Sequence, residues 1–244
     1  MANWRAPEPM PTSETLPVVM IPGLLASARL YADQIPALWR FGPVTVADHT
    51  RDDSMAAIAG RILADAPPAF ALVGLSMGGY ISLEIMRQAP GRVLKLALLD
   101  TSARPDRPDQ TERRRAQMEV ARECRLEDVV DQQYPLIVDR SRRDDARLQK
   151  IVKTMAMDVG AKAFNRQQMA VIGRADSRPS LSAIACPTLV LVGEGDQLIP
   201  IDHSQELGDG IAGSNLVVVP VCGHLSTLEQ PEAVTAALVD WIGG

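Results

Sequence analysis

Short apolar segments alternate with longer amphipathic segments along most of the chain. Each short segment is nearly continuous in hydrophobicity and rich in β-branched residues or Leu, which is typical of a strand buried on both faces of a parallel sheet. We predict six such strands, at Val18–Ile21, Val44–Ala47, Phe70–Leu75, Val93–Leu99, Thr188–Val192 and Leu216–Val221. Helices are predicted at Ala28–Arg40, Ser54–Ala66, Met77–Gln88, His203–Leu207 and Pro231–Ile242. The alternation predicts an α/β fold, in which a mainly parallel sheet of about six strands is flanked by helices.

The stretch between Leu99 and Cys186 departs from this alternation. It contains no strand-like segment, and helical patterns fill it instead, at Gln110–Cys124, Leu126–Gln133, Arg143–Asp158 and Ala161–Gly173. We therefore predict that residues 1–100 and 186–244 form the core and that residues 101–185 are inserted as a helical lid.

The insertion differs in net charge from the rest of the chain. It holds 17 Lys and Arg against 13 Asp and Glu, whereas the remainder holds 8 against 17. Two interpretations of this excess of positive charge are open: the helices have solvated faces, or the lid attracts anionic substrates. The run Arg113-Arg114-Arg115 is interpreted as solvated surface.

Composition excludes several classes of protein. A hydrophobic content of 46% over 244 residues excludes a disordered chain, and a net charge of −5 argues against a dedicated nucleic-acid binder. The N-terminus lacks the apolar core of a secretory signal, and no apolar stretch approaches the ~18 residues that cross a bilayer. We expect a cytoplasmic protein without a nucleic-acid or membrane partner.

Cys124, Cys186 and Cys222 are too few and too far apart for a disulfide framework or a zinc site, so we expect free thiols.

The third predicted strand runs into Gly74-Leu75-Ser76-Met77-Gly78-Gly79, a G-x-S-x-G sequence between a strand and a helix. In this setting a serine lies on a sharp turn that lifts its hydroxyl clear of the sheet, and small neighbours are needed because a side chain would collide across the turn. An ordinary glycine-rich turn or a phosphate-binding loop is the alternative. No G-x-x-x-x-G-K-[ST] occurs in the chain, and the turn at Gly74 does not read G-x-G-x-x-G. We predict that Ser76 is a nucleophile.

A serine nucleophile needs a base, and the chain contains three histidines. His224 follows the last predicted strand, where a parallel sheet presents its active edge, so we predict that it is the base. His49 and His203 are interpreted as surface residues.

The base in turn needs an acidic partner that fixes its tautomer. Asp196 follows the fifth strand and gives the chain order Ser76, Asp196, His224. Asp100, at the end of the fourth strand, is the rival candidate for the acid. Glu194 is expected to cap the turn or to face solvent.

An oxyanion intermediate needs hydrogen-bond donors. The N–H of Met77, directly after the nucleophile, is one predicted donor. The loop Ile21-Pro22-Gly23-Leu24 after the first strand supplies the other, for which we predict the N–H of Leu24.

With strand–G-x-S-x-G–helix, G-x-x-D and Gly223-His224 in this order, the chain from about Leu16 to Ile242 resembles the α/β-hydrolase superfamily. It looks most like the compact bacterial branch of carboxylesterases, 3-oxoadipate enol-lactonase-like enzymes, C–C bond hydrolases and perhydrolases. Two departures are Pro22-Gly23, where that family often has His-Gly, and the segment from Asp48 to Ser54, which lacks the glycines of the usual D-x-R-G-x-G-x-S.

The resemblance implies a serine hydrolase that cleaves a small carboxylic ester through an acyl-enzyme, with no cofactor or metal. An enol-lactonase, C–C hydrolase, thioesterase or perhydrolase with the same triad is the alternative, and a non-catalytic ligand receptor is a third hypothesis. The expected partner is a small-molecule ester or lactone. The sequence makes no prediction of the oligomeric state.

Overall fold

The computed structural model describes residues 15–244. The strands are β1 (Val18–Ile21), β2 (Val44–Val46), β3 (Phe70–Leu75), β4 (Val93–Leu99), β5 (Thr188–Gly193) and β6 (Asn215–Val219). Over this range they form one parallel sheet in the order β2-β1-β3-β4-β5-β6. The predicted α/β architecture with six strands is confirmed. The N-terminal segment, on which the predicted absence of a secretory signal rests, lies outside the described residues.

Alternate residues of the central strands point to opposite faces of the sheet and build two hydrophobic layers. Val18 and Met20 of β1 belong to one layer, and Val19 and Ile21 belong to the other. This arrangement explains why the central strands are apolar at every position. The edge strands β2 and β6 are only partly buried, so the expectation of burial on both faces is wrong for them, because each has a sheet neighbour on one side alone.

The helices follow the predicted order with shifted ends. They are α1 (Ile35–Leu38), α2 (Met55–Asp65), α3 (Met77–Gln88), α4 (Pro108–Arg122), α5 (Leu126–Ile137), α6 (Ala146–Ile172), α7 (Ile201–Gly210), α8 (Ser226–Glu229) and α9 (Pro231–Gly243). Within the described residues, no helix is both long and apolar enough to span a membrane.

The single helix predicted for Ala28–Arg40 is wrong. A short 3-10 helix at Ala28–Tyr31 and the separate helix α1 replace it. Pro36 explains the break, because it lacks the N–H that would continue a helix through this region and its ring obstructs the preceding turn.

Helices α4, α5 and α6 occupy the stretch between β4 and β5 and pack against one another. Gly160 interrupts α6 with a φ of 77° and a ψ of 162°, close to the boundary predicted between two separate helices. Asp106 anchors the start of this region, since its buried carboxylate pairs with Arg114 at 3.0 Å and Arg174 at 2.6 Å. The division of the chain into a core and a lid stays a prediction.

The register of the sheet brings the loops after β5 and β6 side by side. Gly193 pairs with Val219, so the residues that follow them emerge at the same edge. The N–H of Gly195 then donates to the carbonyl of Cys222 at 2.7 Å, which ties the two loops together. Because all six strands are parallel, the loops after β1, β3 and β4 reach the same edge.

Candidate active site

Ser76 lies on the turn between β3 and α3. Its backbone adopts φ 56° and ψ −115°, a conformation that L-residues rarely adopt and that marks a turn held under strain. The turn is tight enough that a Cβ at Gly74 would collide with the carbonyl of Gly78, and a Cβ at Gly78 with that of Ile21. The backbone of Ser76 is held on both sides, because its N–H donates to the carbonyl of Leu99 and its own carbonyl accepts from the Thr101 hydroxyl.

Ser76, His224 and Asp196 form one chain of hydrogen bonds. His224 Nδ1 lies 2.7 Å from Asp196 Oδ2, and its Nε2 lies 2.9 Å from Ser76 Oγ. Because a carboxylate only accepts hydrogen bonds, Nδ1 carries the proton and Nε2 is left to accept from the Ser76 hydroxyl. The structure thus brings together three residues that lie 120 and 28 positions apart in the chain.

The second oxygen of Asp196 is also occupied. Asp196 Oδ1 accepts from the N–H groups of Leu198 at 2.8 Å and Ile199 at 2.9 Å. These donors hold the carboxylate in place and leave Oδ2 directed at the imidazole.

Two opposing effects act on the pKa of His224. Burial lowers the pKa of His224, but the negative charge of Asp196 and the hydrogen bond to it outweigh burial, so the pKa is raised above its ordinary value. The imidazole is therefore well suited to accept a proton.

Asp100, the rival acid, has other partners. One of its oxygens accepts from the N–H of Gly193 at 2.9 Å and the other from the hydroxyl of Ser226. The side chain is fully buried, and burial, with the nearby charge of Asp196, raises the pKa of Asp100 to about 8. Glu194 is exposed, as expected.

Glu229 is a residue of the site that sequence reasoning missed. Its Oε1 accepts from the N–H groups of Gly223 and Leu225, each at 3.1 Å, which are the two neighbours of His224. Its Oε2 accepts from the N–H of Asp139 at 2.7 Å. Burial raises the pKa of the Glu229 carboxyl. A carboxylate five positions after the base, before a helix, was the available sequence signal.

The other titratable candidates are the two remaining histidines and Cys222. His49 is not a surface residue, because it is 2% exposed and its Nε2 lies 2.9 Å from the carbonyl oxygen of Gly23. His203 is half-buried and contacts Ser102 and Arg104. Cys222 is buried, and burial raises the pKa of its thiol, which disfavours the thiolate.

The loop after β1 packs directly against Ser76. A Cβ at Gly23 would lie 3.4 Å from the Ser76 Cβ, and both Leu24 and Met77 line the same cavity as Ser76. The two N–H groups predicted as oxyanion donors therefore belong to residues at the floor of this cavity.

The cavity above Ser76 has a volume of about 180 Å³. Apolar walls come from the core and from the insertion, at Leu24, Ala26, Leu30, Ile137, Val171, Leu198 and Ile199. Five arginines also line it, at positions 104, 107, 113, 114 and 174, and no Asp or Glu among the described residues does. The interpretation of Arg113-Arg114-Arg115 as solvated surface is wrong for Arg114, which is half-buried beside this cavity, whereas Arg113 lines the cavity and is still exposed.

Residues 17–237 match the model of the alpha/beta hydrolase family. The chain belongs to that family. Hydrolysis is the general activity that the names of its relatives support.

Among solved structures, the chain is similar to a thermophilic esterase from Thermogutta terrifontis, determined with malate bound. The two sequences are 30% identical, the aligned region covers 93% of this chain and 89% of the esterase, and the two structures superpose with a TM-score of 0.84. The enol-lactonase from Burkholderia xenovorans LB400 shares the fold, with 21% identity, coverage of 96% and 94%, and a TM-score of 0.85.

The names of curated relatives also indicate hydrolysis, at low sequence identity. A pimeloyl-[acyl-carrier protein] methyl ester esterase from Pectobacterium atrosepticum is 27% identical over 90% of this chain and 86% of its own. Across several curated relatives, the aligned region spans between 61% and 93% of the relative's length.

Substitution of Asp196 and of Asp100 distinguishes which of the two aspartates is the acidic partner of His224. We expect Asp196→Asn to lower kcat on the order of 10⁴-fold, because the amide no longer holds the imidazole in the tautomer that accepts from Ser76. Asp100→Asn keeps most of the activity, because Asp100 bonds Gly193 and Ser226 and not His224. Steady-state kinetics of both variants, with circular dichroism to verify folding, measure this. The reverse order of effects refutes the assignment of the acid.

Glu229→Ala leaves the N–H groups on both sides of His224 without an acceptor. We expect the free energy of unfolding to fall by about 3 kcal/mol and kcat to fall with it, whereas Glu229→Gln keeps one amide oxygen and restores part of both. Urea unfolding and kinetics on the same preparations provide the measurement. Equal stability of the Ala variant and the wild type contradicts the positioning role of Glu229.

Proposed function

We propose that this alpha/beta hydrolase is a serine hydrolase that cleaves small carboxylic esters through an acyl-enzyme. The observation that carries the proposal is the buried hydrogen-bond chain from Asp196 through His224 to Ser76, which ends at the floor of a lined cavity.

Each residue of the chain has a role in the proposed reaction. Ser76 Oγ forms a bond to the ester carbonyl carbon while His224 Nε2 takes the hydroxyl proton. The tetrahedral intermediate then breaks its bond to the alkoxy oxygen, which receives that proton and leaves as the alcohol. Water, deprotonated by His224 in the same way, attacks the acyl-enzyme and releases the acid and Ser76.

Negative charge on the carbonyl oxygen develops between the N–H groups of Leu24 and Met77. Met77 is the first residue of α3, where the helix leaves its N–H groups without intrahelical partners and directs the positive end of its dipole toward Ser76. Gly23 brings the Leu24 peptide close enough to Ser76 to supply the second donor.

The arginines that line the cavity favour the second candidate, in which an enol-lactonase or C–C bond hydrolase uses the same triad on an anionic substrate. A ligand receptor is disfavoured, because binding alone does not require Nε2 of a carboxylate-held histidine to accept from a serine hydroxyl. A cytoplasmic location stays part of the proposal as a prediction from the sequence.

Ser76→Ala is the direct test of the mechanism. With p-nitrophenyl esters from acetate to decanoate, we expect turnover with an optimum of acyl length in the wild type and a loss on the order of 10⁶-fold in the variant. A fluorophosphonate probe should label the wild type stoichiometrically and leave the variant unlabelled. Turnover that survives in Ser76→Ala refutes the mechanism. If the wild type turns over none of the esters but accepts lactones or C–C bond substrates, the second candidate function is the correct one.

A further inference from the structure

Ser102, His203 and Arg104 form a polar group in the wall of the cavity, separate from the triad. His203 Nδ1 lies 2.7 Å from Ser102 Oγ, and His203 Nε2 lies 3.2 Å from Arg104 Nη1. The backbone N–H of Arg104 donates to the same Ser102 oxygen at 3.0 Å. Ser102 is 3% exposed, and its side chain lines the cavity that also contains Ser76.

The proton positions in this group follow from the guanidinium. Arginine only donates hydrogen bonds, so His203 Nε2 must accept from Arg104 and the ring proton resides on Nδ1. Burial and the positive charge of Arg104 lower the pKa of His203, which keeps the ring neutral and consistent with this tautomer. Nδ1–H therefore donates to Ser102.

Ser102 consequently accepts two hydrogen bonds, one from His203 and one from the Arg104 backbone. Both lone pairs of its oxygen are used, and the hydroxyl proton remains to be donated. No acceptor for this proton is found among residues 15–244. An unpaired buried donor costs about 1–3 kcal/mol, so an oxygen of the cavity's occupant is the partner that this geometry calls for.

One face of α4 adds positive charge to the same cavity. Gln110, Arg113, Arg114 and Gln117 share this face and line the cavity, and Arg107 lines it from the position before the helix begins. Arg107 and Arg114 are paired with Asp109 and Asp106. Arg113 has no carboxylate partner within the described residues and is the cation free to pair with a ligand.

We propose that Ser102 and Arg113 form a subsite for a carboxylate on the substrate, so that the preferred ester carries a free acid group. The proposal rests on the proposed hydrolase function and specifies its substrate class. Ser102 donates to one carboxylate oxygen, and Arg113 supplies the compensating charge at the mouth of the cavity.

Matched ester pairs test the subsite. Monomethyl adipate is compared with methyl hexanoate, which places the acid on the acyl part, and 3-acetoxypropanoate with propyl acetate, which places it on the alcohol part. We expect kcat/KM to favour the acid member of at least one pair by about tenfold or more. Ser102→Ala and Arg113→Gln each reduce that preference by about tenfold, and added salt reduces it further.

Arg115→Gln is the control, because Arg115 lies on the same helix but lines a different surface depression with Thr111 and Glu112. It leaves the preference unchanged. Calorimetric binding of adipate to the same variants gives a readout without turnover, with weaker binding expected in Ser102→Ala and Arg113→Gln only. Absence of any preference in the wild type, or a preference and adipate affinity that neither variant alters, overturns the subsite. Failure of the proposed hydrolase mechanism is distinguished from failure of the subsite, because it appears as ester turnover that persists in Ser76→Ala.

A second, independent observation concerns His49. The carbonyl of Gly23 and the N–H of Leu24 belong to one planar peptide unit, so an interaction with the carbonyl fixes where the N–H points. His49 Nε2 lies 2.9 Å from this carbonyl and donates to it. On the next peptide, the N–H of Leu25 donates to Gln167 Oε1 at 3.2 Å.

We infer that His49 is a positioning residue for the oxyanion donor at Leu24. Burial lowers the pKa of His49, so the ring is neutral and donates through Nε2–H without adding a charge next to Ser76. Donation to the carbonyl also polarises the peptide and strengthens its N–H as a donor. This inference rests on the proposed function as well.

His49→Ala and His49→Gln form the test, since only the glutamine amide can replace the donor. We expect the alanine variant to lose about tenfold or more in kcat with little change in KM, and to bind a trifluoromethyl ketone transition-state analogue more weakly in proportion. The glutamine variant recovers part of both. Hydrogen exchange of residues 23–26 reports the loop without turnover, and it is faster in the alanine variant alone. A variant pair that differs in thermal stability but not in kcat, analogue affinity or exchange overturns the inference.

Discussion

The hydrogen bond from His224 Nδ1 to Asp196 is the constraint on which the rest of the site depends. It decides which ring nitrogen carries the proton, and thereby whether the other nitrogen can accept from Ser76. The bond exists because Gly193 and Val219 are paired in the sheet, which brings the loops after β5 and β6 to the same height. Backbone N–H groups on the second Asp196 oxygen then prevent the carboxylate from turning away.

Three buried carboxyl groups surround this histidine, and each is accommodated differently. Asp196 bonds the ring, Asp100 bonds Gly193 and Ser226, and Glu229 bonds the backbone on both sides of His224. Burying a carboxyl group is unfavourable unless its oxygens are satisfied, and in each case hydrogen-bond donors satisfy both. Asp196 bonds directly to the imidazole, whereas Asp100 and Glu229 act on His224 through their charge, and Glu229 also through the backbone.

The parts of the structure that were predictable are those set by local pattern. Apolar runs located all six strands. The G-x-S-x-G sequence located the turn at Ser76, because its glycines stand where a Cβ would collide across the turn. His49 escaped prediction because its importance lies in a contact with the backbone of a distant residue, which leaves no local sequence pattern. Glu229 escaped prediction because a carboxylate a few positions after His224 does not by itself indicate which backbone N–H groups it binds. Arg114 of α4 was misread for a related reason. A charged run looks solvated until the helix that carries it is placed against another surface.

The N–H of Asp139 donates to Glu229, which links the segment between β4 and β5 to the loop that carries His224 through one shared acceptor. Gly223 reinforces the link, since a Cβ there would collide with the backbone of Val138 and Asp139. When one segment moves away from a shared buried acceptor, part of that acceptor loses its hydrogen bonds, so disorder in one segment favours disorder in the other. We therefore expect substitutions of the residues that form this contact to be thermodynamically non-additive with one another.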